Sequence, residues 1–211
     1  MIWTALAFAV GYQIFLIIPA WTLYVIAPDI SDALMMGLSY LGVGAMCYLF
    51  LGQRGVAREV SQLGDVNVTI AVFTLIAVAA SLFISSLVSN VFVSIFGPEG
   101  LSVSEQMQVI MRFSKTLELI FAVVLVAPVV EEFIYRGLLM GVLLDRGWTP
   151  LAATLLAGAI FSLLHIQYGW IGIVSVFVMG ITFGFLRIAG GGLFAPILAH
   201  AIGNAVSLYM W

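Results

Sequence analysis

Glu131 and Glu132 stand side by side, with Arg136 four residues beyond Glu132, in the stretch A-P-V-V-E-E-F-I-Y-R-G-L-L-M-G of residues 127–141. Long apolar runs flank this stretch on both sides. A charge at the centre of a membrane-spanning helix costs about 2.5–3.5 kcal/mol on insertion scales, so three charges this close together call for a use. On a helix, Glu132 and Arg136 share a face at i,i+4 with the acid before the base, and they offset part of each other's cost. Glu131 lies about 100° round the helix and is left over. A surplus carboxylate in a poorly solvated cavity is a candidate general base for water.

The chain has two histidines, and each has a notable neighbour four residues away. His165 closes F-S-L-L-H at 161–165, and His200 opens H-A-I-G-N at 200–204. Taken singly, such a histidine is more often a hydrogen-bonded structural residue, and Asn204 is ordinary glue between membrane helices. Taken with the two acids and Arg136, they make up nearly all the strongly polar side chains in the apolar segments of the last hundred residues. Two donors at i,i+4, His200 and Asn204, can converge on one developing oxyanion, a contribution of about 3–4 kcal/mol per donor in hydrolases. Two histidines and a glutamate could also hold zinc. The H-E-x-x-H pattern is absent, and adjacent acids beside Arg136 weigh against a cation.

The elements that must carry these residues are membrane helices. Of 211 residues, 64% are hydrophobic and 8% charged, against about a quarter charged in a soluble domain. Several runs reach the ~20 residues needed to cross ~30 Å of hydrocarbon, and no alternating segments of β-barrel type occur. The fold class is therefore all-α, a polytopic membrane helix bundle with about seven to eight transmembrane helices in a single integral membrane domain over 1–211. The net charge of −3 and the lack of a basic run exclude nucleic acid as the main partner and make the lipid bilayer the surroundings. Cys47, the lone cysteine, reads as a small packing residue.

In order, the expected spans are 2–26, 33–51, 68–96, 116–144, 151–166, 171–187 and 193–209. The fourth would become two if Pro128 breaks it just before Glu131, giving the carboxylates a helix N-terminus. Trp3, Trp21 and Tyr24 suit the membrane interfaces. Gly37, Gly42, Gly44 and Ala45 in the second span, and Gly180 with Gly184 in the sixth, permit close helix contact. Residues 53–67 form a polar connection with an interfacial helix, and 100–115 a second connection capped by Ser102 or Ser104. The start lacks the basic region of a cleavable signal and reads as a retained first helix. With the N-terminus cytoplasmic, Arg54, Arg58, Arg146 and Arg187 fall inside and Arg112 and Lys115 outside, in the sense of the positive-inside rule.

The ordered triple E-E-x-x-x-R, F-x-x-x-H and H-x-x-x-N on successive late helices resembles the CAAX protease and bacteriocin-processing (CPBP) family, the Rce1-type intramembrane proteases. The resemblance covers roughly residues 117–208. It implies a glutamate-dependent endopeptidase that needs no cofactor or catalytic metal and acts on a membrane-associated peptide or protein, including CAAX-type prenylated substrates; the short loops and small size favour a prokaryotic plasma membrane. It implies Glu131 as general base on a water shared with His165, His200 and Asn204 as oxyanion donors, and Glu132 with Arg136 as the structural pair. Two other readings stay open from the residues alone: a non-catalytic scaffold or immunity protein of the same fold, and a small transporter using the acids as a proton relay.

Overall fold

A computed structural model describes residues 1–27, 29–97 and 117–210. In hydrocarbon each segment must satisfy its own backbone N–H and C=O groups, and the long apolar runs do so as helices. Helix α1 covers Ile2–Ile26, α2 Asp32–Gln53, α3 the single turn Ala57–Val60, and α4 Val68–Phe96. A continuous helical run over 117–145 is α5, followed by α6 at Pro150–Leu163, α7 at Gly169–Ala189 and α8 at Phe194–Met210. The protein is thus an all-α polytopic membrane bundle. Among the described residues, four stretches are long and apolar enough to cross a membrane, and α6 and α8 are shorter apolar helices. Large apolar side chains such as Ile14, Ile17, Trp21, Val68 and Phe83 face outward, as lipid contact requires.

Local sequence sets several helix starts. Ser31 accepts from the Leu34 amide, Asn67 from Ile70 and Thr149 from Ala152, each filling a donor that a helix N-terminus leaves unpaired. Pro150 follows Thr149 at a first-turn position that needs no amide hydrogen.

One expectation is met in reduced form and one needs correction. The short helix of the connection at 53–67 is the single turn α3, and the residues that follow it are engaged elsewhere. Leu193 N–H donates to Gln62 (2.9 Å), Phe194 N–H to Leu63 (3.0 Å) and Asp65 N–H to Gly190 (2.8 Å), which clasps this loop to the turn before α8. Gly64 is required there, with φ +72° and no room for a Cβ against the Gly190 carbonyl. Second, Pro128 does not divide α5. Ile120–Val126 and Phe133–Leu139 widen to π geometry on either side of an α-helical turn at Ala127–Glu132, and the helix runs through. No helix begins at the glutamates, so they gain no N-terminal dipole. The connection at 100–115, with Ser102 and Ser104, lies outside the described residues.

The small residues act where expected. A Cβ on Gly44 would meet Val130 at 2.9 Å and one on Gly37 would meet Phe121 at 3.1 Å, so α2 lies close against α5. Gly180 faces Gly158 and Gly184 faces Thr154, which draws α6 against α7.

Candidate active site

The buried polar groups of the late helices meet inside the bundle. Glu131 is 2% exposed, Glu132 and Arg136 are fully buried, and His165 and His200 are nearly so. On α5, Arg136 Nη1 donates to Glu132 Oε1 at 3.0 Å, the i,i+4 pair that the spacing predicts. Its Nη2 donates to the Gly180 carbonyl at 2.8 Å, a contact open to it because glycines bring α7 in so closely. The guanidinium carbon lies 4.8 Å from the Phe161 ring centroid and 5.2 Å from that of Phe183, so aromatic faces take up charge that water would otherwise solvate.

His200, from α8, stands between the two glutamates. Its Nδ1 lies 2.9 Å from Glu132 Oε1, while its Nε2 lies 3.7 Å from Glu131 Oε2. Glu132 Oε1 already accepts from Arg136, so the hydrogen between it and the ring belongs to Nδ1, and Nε2 is turned to Glu131. Phe183 stacks on the imidazole at 4.9 Å and Phe161 meets it edge-on. His165 follows the last turn of α6 and donates from Nδ1 to the Phe161 carbonyl at 2.7 Å, with the Phe161 ring 4.5 Å away. The F-x-x-x-H spacing is that hydrogen bond. It leaves Nε2 as the free nitrogen of His165.

Asn204 is placed differently from its neighbours in the motif. Its Nδ2 donates to the Val123 carbonyl at 2.8 Å. In the π stretch, Ala127 N–H bonds to Ala122, five residues back, and the same register would pair Val123 with residue 128. Residue 128 is proline and has no hydrogen to give, so Asn204 supplies the missing donor. One of its two amide hydrogens is thereby committed to the backbone.

Two further side chains escape the sequence reading. Tyr12 of α1 and Tyr40 of α2 both donate to Glu131 Oε1, at 3.0 and 2.8 Å, and Gln13 Nε2 donates to the Tyr12 oxygen at 2.7 Å. The only sequence signal was a polar tip in mid-span, Tyr12 with Gln13 and Tyr40 alone, where tyrosines at an interface need no partner. Among the described residues, no three His, Cys, Asp or Glu side chains gather as a metal ligand set. Glu131 and Glu132 sit on opposite nitrogens of His200 and so do not converge on one point.

The membrane helix bundle thus holds one carboxylate facing an imidazole, beside a second carboxylate clamped by an arginine. Residues 113–206, a little under half of the chain, match the family described as type II CAAX prenyl endopeptidase Rce1-like. The match takes in the segments that bear Glu131, His165, His200 and Asn204, and it leaves out α1 and α2. An uncharacterized 24.3 kDa protein of Escherichia coli is 29% identical over 91 residues, 42% of this chain and 42% of that relative's length. No solved structure matches the chain.

Proposed function

We propose that the protein is an intramembrane glutamate-dependent endopeptidase that hydrolyses a peptide bond in a membrane-associated peptide or protein without a catalytic metal. The observation that carries this reading is the placing of Glu131 Oε2 opposite His200 Nε2 at 3.7 Å, deep in the bundle. In the proposed reaction a water lies between Glu131 and the free Nε2 of His165. The water oxygen forms a bond to the scissile carbonyl carbon, its proton passes to Glu131 Oε2, and the carbonyl electron pair moves onto oxygen. The second amide hydrogen of Asn204, and His200 when protonated, donate to that oxyanion. Collapse breaks the C–N bond, the leaving amine takes the proton from Glu131, and the carboxylate is restored. Glu132, clamped by Arg136, accepts from His200 Nδ1 and so fixes the ring, leaving Nε2 as the nitrogen that donates once it too carries a hydrogen.

Family resemblance directs the choice of probe. Purified protein in detergent is given a quenched-fluorescence peptide ending in a farnesylated Cys-a-a-X sequence, alongside its unmodified twin and a pool of unmodified membrane-anchored peptides. Cleavage by the parent, unaffected by a strong chelator and lost by at least about 1,000-fold in Glu131→Ala and in His165→Ala, is the expected result. Equal cleavage by Glu131→Ala and parent rejects the mechanism. Loss with chelator moves the reading to a zinc enzyme.

A further inference from the structure

From the geometry of Glu131 we infer that Tyr12 and Tyr40, on α1 and α2 and so outside the family match, are positioning residues that fix which carboxylate oxygen of Glu131 does the chemistry. This rests on the peptidase reading above for its consequence, though not for its geometry. Both phenol hydroxyls reach the same atom, Oε1, at 3.0 and 2.8 Å, while Oε2 alone is turned toward His200. An ionised carboxylate oxygen that accepts two hydrogen bonds is a weaker base than its unoccupied partner, so the proton from water goes to Oε2. The rings are themselves held. Tyr12 is fully buried, meets Tyr135 edge-on at 5.7 Å, and receives Gln13 on its oxygen, which directs its own hydrogen to Glu131. Tyr135 is anchored in turn by its hydroxyl on the Ala9 carbonyl at 2.8 Å. Helices α1 and α2 are thus working parts of the reactive centre.

Tyr→Phe removes one hydroxyl and keeps the ring, so the variants Tyr12→Phe, Tyr40→Phe and their double isolate the contact. Using the farnesylated peptide above, kcat is expected to fall about 10-fold for each single variant and further for the double, with KM within about 2-fold and thermal midpoints close to the parent. The second measurement needs no substrate and no Phe variant. Infrared spectra of protein with ring-labelled tyrosine, parent against Glu131→Gln, should show the phenol C–O band shift for two of the seven tyrosines, since a phenol donating to a carboxylate differs from one facing an amide. A double Phe variant with parental kcat, while Glu131→Ala is inactive, overturns the inference and leaves the peptidase reading standing. So does an unshifted tyrosine band. If Glu131→Ala cleaves like the parent while the band shifts, the peptidase reading fails and the tyrosine contact survives.

Discussion

Glu132 is the residue on which the polar centre turns, since its Oε1 receives both Arg136 and His200. Its other oxygen, like Arg136 Nε, has no partner among the described residues, so the pair is a poor device for stability alone. What it secures is the tautomer of His200. Removing one member leaves a buried charge uncompensated, and Glu132→Gln or Arg136→Met should each destabilise the protein by about 3–5 kcal/mol. The double Glu132→Gln, Arg136→Met should lose less than the two singles summed, as thermal or denaturant melts in detergent would read. It should stay inactive, because His200 then lacks its carboxylate anchor. The i,i+4 pairing of these two residues was legible in the sequence, because a helix fixes it. The partners of Glu131 were not: the hydroxyls of Tyr12 and Tyr40 arrive from positions 119 and 91 residues away, a separation that no local pattern encodes.

At the level of elements, α5 shows how a proline is absorbed without a break. The π register moves the missing hydrogen bond onto Val123, and α8 repairs it with Asn204. Asn204→Leu should therefore cost about 1–3 kcal/mol in the parent by leaving a buried carbonyl unpaired. In a Pro128→Ala background, where residue 128 regains its hydrogen, the same substitution should cost markedly less, and equal losses in both backgrounds would refute the exchange. The seven apolar runs and the glycine contacts could be read from hydropathy and small-residue spacing. The uninterrupted course of α5 could not, since a proline in sequence does not say whether the chain kinks, ends or widens its turns. The clasp between 62–65 and 190–194 is equally silent in sequence, because it is made by backbone groups.

For the molecule as a whole, that clasp brings the loops after α2 and α7 to one end of the bundle. Ser31 donates to Glu118, placing the start of α2 and the start of α5 together at the other. Arg54, Arg58, Arg146 and Arg187 then share the first end, and the turn 164–168 after α6 lies toward the second. A thiol introduced as Ile166→Cys should react with an impermeant reagent from the membrane side opposite to that which labels Arg146→Cys, with Cys47 buried and silent. Labelling of both from one side would refute this threading. The expected spans carried this alternation in their order alone, whereas the level of the reactive centre needed coordinates. Helix α6 has 14 residues and so rises about 21 Å, where the 21 residues of α7 rise about 31 Å. The two are joined through the short turn 164–168 that carries His165, so the extra length of α7 runs past the start of α6 at the end that holds Arg187. The mismatch between the two helices is thereby kept away from His165 and falls beside the clasp of 62–65 on 190–194.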